Sequence, residues 1–386
     1  MTNLCNRREF IGSVGAATAG LWLSSAGLSL ATTAPTAPVS VARCPRYGAE
    51  VLPTLATMFD QLGGLRRLVE GKTVAIKLNL TGVPSLRLKN QPLGSTFWVH
   101  PDVIAATVHL LGQAGARRIR LLESCMGTTM SLEEFMTQAD WDPQVLAHAA
   151  PHVEFENTHS LGKGEEYSRF WVPGGGLMFK GYDLNHSYEN CDVFISLAKL
   201  KEHFTAGVTL SMKNCFGITP TTIYGENAGI DEPSLGPRQN RDGTLHFGKR
   251  QPSKSAPSEN DPTSPREPGY RVPRVVVDLV SARPIHLAII DGIETMAGGE
   301  NPYLHTVRLI SPPGVLIAGT NCVTTDAVAT AIMGFDPTAD RGTAPFEKCD
   351  STLRLAEHAG IGTCDLKRIE VRGTPISKVA FNIRTA

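Results

Sequence analysis

The chain is organised as short apolar segments that end in polar residues and alternate with helical or irregular stretches. From Thr73 to Leu80, Ile76, Leu78 and Leu80 share one face and Lys77 and Asn79 the other, which is the period-2 signature of a strand. Arg118 to Leu122, Asp192 to Leu197, His286 to Ile290, Val315 to Gly319 and Arg368 to Arg372 read as further strands. Between the first two, Val103, Ile104, Val108, Leu110 and Leu111 supply a helical apolar face, with His100-Pro101-Asp102 as its start and Gly115 as its stop. Helices are also predicted over Leu52 to Val69, Arg274 to Ala282, Thr324 to Gly334 and Ala344 to Ala359. This order predicts right-handed βαβ crossovers and an α/β fold, a mostly parallel or mixed sheet flanked by helices. No boundary interrupts the alternation, so residues 48–386 are expected to form a single large domain.

Two segments break the pattern. Residues 231–273 hold eight prolines, many charges and almost no apolar run, and are expected to be a long flexible loop inserted in the domain, either a lid or a disordered insertion. Residues 32–47, with Thr, Ala and Pro prominent, read as a linker. Ahead of them, Asn6-Arg7-Arg8-Glu9-Phe10-Ile11 is similar to a twin-arginine export motif, without the usual serine or threonine before the arginines. A Gly- and Ala-rich apolar run from Ile11 to Ala31 follows, with small residues at Ser29-Leu30-Ala31 and Ala34 suited to cleavage. Residues 1–31 are thus expected to be a signal that engages the twin-arginine export machinery and delivers the protein to the periplasm, or anchors it in the membrane if uncleaved.

Charge excludes some partners. Lys+Arg and Asp+Glu both number 37, so no global field draws the molecule to nucleic acid, and any basic site must be local. The eight cysteines include no C-x-x-C pair, so their spacing encodes neither a zinc ribbon nor an iron–sulfur cluster. Cys349 with Cys364 is one conceivable disulfide; most of the others are expected to be buried as small hydrophobes.

The local basic site lies between Lys199 and Gly217 (KLKEHFTAGVTLSMKNCFG). In an extended segment Lys199, Lys201 and His203 project from one face, and Lys213 and Asn214 return after the apolar run Val208 to Met212. Ligands of open α/β sheets gather beyond the carboxyl ends of strands, and polar groups fall at several such ends: Lys77 and Asn79, Glu123, the lysine–histidine stretch and Asp291-Gly292. Asp326 follows another, opening a helix after the strand that ends at Gly319. Lys77, Lys199, Lys201 and Lys213 could neutralise a phosphate or polycarboxylate. Asp291, Asp326 and Glu123 are hard oxygen ligands suited to a divalent metal, Mg²⁺ or Mn²⁺, with Asn79 or Asn214 adding a carbonyl oxygen. His203 is the natural proton carrier, and a lysine among lysines has a lowered pKa that opens Schiff-base or general-base roles. The competing reading is structural: Lys213 paired with Asp291 or Asp326 in a buried ion pair.

Together Lys77-Leu78-Asn79, His100-Pro101, Lys199-Leu200-Lys201-Glu202-His203, Lys213-Asn214 with Gly217, Asp291-Gly292, Gly298-Gly299-Glu300-Asn301-Pro302 and Thr325-Asp326 resemble the domain of unknown function family 362, over approximately Thr73 to Gly373. The resemblance implies no particular reaction. Some members of that family carry ferredoxin-type iron–sulfur modules, a feature that the cysteine spacing here does not carry over. The expectation is an exported enzyme acting on an anionic small molecule. In it His203, Lys201 and Lys77 are catalytic, Lys199, Lys213, Asn79 and Asn214 bind the anion, and Asp291, Asp326 and Glu123 hold the metal. The alternative is a non-catalytic periplasmic ligand-binding protein or an accessory subunit of a redox complex.

Overall fold

The computed structural model describes residues 33–386, so the export-type segment lies outside the described residues. Eight strands form the main sheet: β1 (Val39–Arg43), β2 (Thr73–Lys77), β3 (Arg118–Glu123), β4 (Val153–Asn157), β5 (Val193–Lys199), β6 (Leu287–Gly292), β7 (Val315–Gly319) and β8 (Val371–Gly373). Their order across the sheet is β8-β1-β7-β6-β5-β2-β3-β4. β6, β5, β2, β3 and β4 are mutually parallel, whereas β7 pairs antiparallel with both β6 and β1. The α/β reading holds, and residues Ala34–Ala386 form one compact unit.

Period-2 alternation divides the core into two layers. Val74 and Ile76 of β2, Ile119 and Leu121 of β3 and Val193, Ile195 and Leu197 of β5 pack on one face with α1 (Val51–Gln61) and α2 (Pro101–Gln113). Ala75, Phe194, Ala288, Ile290 and Ile317 face the other layer. There they meet α3 (Leu210–Asn214), α4 (Pro268–Ala282) and α5 (Cys322–Ile332). The helix α2 begins as its sequence predicts, with Pro101 in its first turn and the His100 ring accepting from Asp102 N at 3.1 Å. Lys77 ends β2 on the second face, so its ammonium is carried into the polar region beyond the sheet.

Four expectations need correction. Residues 32–47 are more than a linker: β1 runs through them, with Val39 and Val41 fully buried between β7 and β8. Residues 231–273 are not a loose insertion. Glu259 is buried and gathers Arg271 at 2.5 Å, Arg266 at 2.7 Å and Ser264 at 2.6 Å, and its carboxyl is held down at about 2, burial opposing and these hydrogen bonds prevailing. The same segment provides a helical turn (Asp242–His246) and the first turns of α4. The helix expected over Ala344 to Ala359 is confined to Thr352–His358, started by the Ser351 hydroxyl, which accepts from Arg354 N. Cys349 and Cys364 are both free thiols, and Cys364 donates to Glu357 instead.

Candidate functional site

Beyond the carboxyl ends of β2, β3 and β5 lies a cavity of about 130 Å³. Its walls bring together Lys77, Asn79, Glu123, His203, Lys213 and Asn214, six of the residues singled out in the sequence. Three further charged or polar groups enter it: Arg241 with Asn240 from the proline-rich segment, and Glu300 from the loop after β6. A wider open cleft of about 450 Å³ borders His203 on its other side. There Arg384 is already tied to Glu202 and Glu347, so the smaller cavity is the better site.

Its floor is an ion pair. Lys77 Nζ lies 2.6 Å from Glu123 Oε1, and both side chains are almost completely buried. The Glu123 carboxylate also accepts from Leu80 N and Ser124 N, at 2.8 and 2.9 Å. Asn214 joins the strand ends: its Oδ1 accepts from Lys77 and Asn79, and its Nδ2 donates to Lys77 O and Ser196 Oγ. Gly217 gives this cluster room, because a Cβ there would stand 3.0 Å from Lys77 Nζ and crowd its ammonium.

The walls are different in kind. Lys213, on the last turn of α3, has no hydrogen-bond or ion-pair partner among the described residues; its ammonium sits 4.4 Å from the centre of the Phe216 ring. Desolvation pushes it from 10.5 down to about 7, with nearby Glu300 opposing and Arg241 reinforcing the shift. Arg241 donates to Thr219 O and Ser124 Oγ at 2.8 and 2.7 Å and stays cationic. The His203 Nδ1 accepts from Thr205 N at 3.1 Å, which leaves the proton of the neutral ring on Nε2. Burial, followed by Lys213, His246 and Lys201, pushes this imidazole well below its ordinary 6.5, so it is a neutral donor near pH 7. Two buried polar atoms of the lining lack hydrogen-bond partners, Asn79 Oδ1 and Thr209 Oγ1. Buried polar atoms are nearly always satisfied, so these two keep capacity for a further hydrogen bond.

Lys199 and Lys201 are brought close to the site without lining it. Lys199 donates to Tyr47 Oη, Gly94 O and Asp291 at 2.8, 2.6 and 3.1 Å, all within the protein interior. Asp291 in turn accepts from His100 N and Ile293 N, so this cluster fastens the end of β6 to the start of α2. A buried structural ion pair therefore does exist here, with Lys199 and not Lys213 as its cation. Lys201 donates to Phe97 O at 2.7 Å and Glu300 O at 3.0 Å, and thereby holds the glycine loop that aims Glu300 at the cavity. Burial lowers it to about 7.

The three carboxylates assigned to a metal are not assembled into one site. Glu123 is engaged by Lys77 and Asp291 by Lys199, while Asp326 lies under α3, accepting from Ser211 N, Ser211 Oγ and Met212 N at 2.9, 2.6 and 2.9 Å. Asp326 thus caps a helix start, and its burial lifts the carboxyl to about 7 against those three donors. Among the described residues no three His, Cys, Asp or Glu side chains converge as metal ligands. The donor set does not fit Mg²⁺ or Mn²⁺, which need several oxygens free to coordinate at once.

Residues 74–331, from β2 to the end of α5, match the domain of unknown function DUF362. The chain belongs to this family. The matched span contains every residue named above as lining the cavity, Arg241 included. Over 184 residues the chain is 29% identical to the thylakoid-associated protein of Synechocystis sp., covering 47% of this chain and 50% of that protein. Among solved structures it is similar to the lactate racemase apoprotein from Thermoanaerobacterium thermosaccharolyticum, with a TM-score of 0.37 and 15% identity over 70% of this chain and 51% of that one. A protein from Thermotoga maritima gives 0.35 and 15%, over 69% of this chain and 54% of that one. The chain spans about half the length of each of these three proteins.

Proposed function

We propose that the cavity binds a small phosphate- or carboxylate-bearing molecule and that the protein is an enzyme acting on it. The observation that carries this reading is Lys213, a desolvated ammonium with no hydrogen-bond or ion-pair partner among the described residues, facing a cavity that also holds Arg241 and two unsatisfied polar atoms. Lys77 is neutralised by Glu123 and Glu300 offsets one further cation, so with Lys213 protonated the cavity has a surplus of one positive charge. Arg241 supplies fixed, planar donors, Lys213 a mobile charge, and the His203 Nε2–H a neutral donor able to pass a proton when the occupant's charge raises its basicity. On the strength of Arg7-Arg8 and the apolar run after them we place the protein in the periplasm by the twin-arginine route.

Anion binding stabilises the protonated form of Lys213, so affinity is full below about pH 7 and falls as pH rises above it. Calorimetric titration of inorganic phosphate and of small carboxylates across that range tests the reading. Saturable binding that weakens toward alkaline pH, and is lost in Lys213→Met, supports it; no binding by any compound near pH 6 overturns it. Binding of such compounds without turnover of any of them would favour the non-catalytic role of a periplasmic binding or accessory protein.

A further inference from the structure

We propose that Lys213 is a nucleophilic amine, and that the occupant is a small oxo acid whose carbonyl carbon condenses with Lys213 Nζ to form a Schiff base. This rests on the anion-binding reading above and adds to it the chemical class of the ligand and a covalent step.

The argument proceeds by elimination among the four lysines. Lys77 is engaged by Glu123, Leu78 O and Asn214. Lys199 is engaged by Asp291, Tyr47 and Gly94, and Lys201 by two backbone carbonyls. Lys199 and Lys201 do not line the cavity, and the Lys77 ammonium is committed to the Glu123 carboxylate. Lys213 alone lines the cavity without a hydrogen-bond or ion-pair partner among the described residues, and near pH 7 a large share of it is neutral. The Phe216 ring holds the end of its stem on one side. The cavity is small, about 130 Å³, which suits a compact oxo acid such as glyoxylate or pyruvate. Charge narrows it further, because Arg241 suits a carboxylate while the His203 Nε2–H can donate to a carbonyl oxygen.

The step balances without an oxidant or reductant. The Nζ lone pair forms a C–N bond as the carbonyl π bond opens, and the oxygen takes a proton to give a carbinolamine. A second proton then reaches that oxygen, the C–O bond breaks, and water leaves as the C=N bond forms. The net change is amine plus carbonyl to imine plus water. Both protons come from Lys213 Nζ, which loses its two N–H bonds over the sequence, and the neutral His203 Nε2–H, facing the same cavity, steadies the oxygen by a hydrogen bond.

The test is reductive trapping on the full chain, with pyruvate as the probe and borohydride as the reductant near pH 7, read by intact mass and peptide mapping. The expected result is one carboxyethyl group per chain on Lys213, formed more slowly below pH 7 as the amine protonates, suppressed by excess phosphate, and absent in Lys213→Arg. Mapping on the unmodified sequence decides the matter even if the variant folds poorly. Adducts spread over surface lysines with Lys213 unlabelled overturn the proposal. Phosphate binding, measured on the same preparation by thermal shift, separates the two readings. If it persists without an adduct, the Schiff base fails and the anion site stands; if it is also absent, both fail.

Discussion

Replacing Lys213 by methionine is predicted to make the ligand-free protein more stable. Methionine keeps the unbranched apolar stem over Phe216 and removes a charge that the fold desolvates without a partner. Holding the amine at about 7 instead of 10.5 corresponds, at about 1.4 kcal/mol per pH unit, to an upper bound of roughly 5 kcal/mol. Partial exposure to the cavity screens the charge, and about 2 kcal/mol is the expected gain at neutral pH. The sign follows from proton counting. Below pH 7 folded and unfolded chains are both protonated at this site, and the cost is present in full. Between about 7 and 10.5 the unfolded chain binds more protons, so stability rises with pH, and above that range the cost is gone. Urea unfolding of both proteins should show the variant's midpoint raised near pH 7 and the difference shrinking toward pH 10. A variant less stable than the parent at pH 7 would mean that Lys213 has a stabilising partner, and the argument from its isolation would collapse.

Lys77→Met should behave in the opposite way, losing about 3–5 kcal/mol because Glu123 is left buried without its cation. Adding Glu123→Gln should restore much of that loss in the same unfolding assay. Asp326→Asn should cost about 1–3 kcal/mol, since an amide cannot accept from both Ser211 and Met212 as the carboxylate does; a change under half of that would deny it the capping role. Arg241→Gln should weaken phosphate binding at least tenfold in calorimetry while its Thr219 contact is partly kept, and an unchanged affinity would remove the proline-rich segment from the site.

Six of the eight strands of the main sheet were legible because they obey one local rule; β4 and β1 were not among them. Val74, Ile76, Val193, Ile195 and Leu197 alternate toward one layer whatever lies next to them in the chain, and the ends of such strands are where polar residues collect. The strand β1 was not legible, since five residues among prolines and threonines carry no period long enough to count; it exists because β7 and β8 pair with it on both sides. Six cavity residues were found from spacing and position, yet what each does was set by neighbours remote in sequence. Lys199 and Lys213 look alike in the chain, and what separates them is the approach of Asp291 to the first, while the second has only the Phe216 ring beside its ammonium among the described residues. Asp326 was misread for the same reason, its partners being the backbone donors of a helix more than a hundred residues earlier. Arg241 lies in a segment whose composition suggests disorder, and nothing in its pattern R-x-x-x-L-x-F sets it apart from the other arginines there.

The position of β1 governs when the molecule can be finished. Val39 pairs with Gly319 on one side and Val371 on the other, so the first strand is enclosed on both sides only after the last strand has been made. A chain growing from the ribosome can assemble β2, β3, β4 and β5 as they emerge, while its opening residues wait beside an unfilled slot. Contacts of such long sequence separation form late and slowly. The described chain begins a few residues ahead of that slot, where Arg368 and Thr363 bind the Ala34 and Pro35 carbonyls.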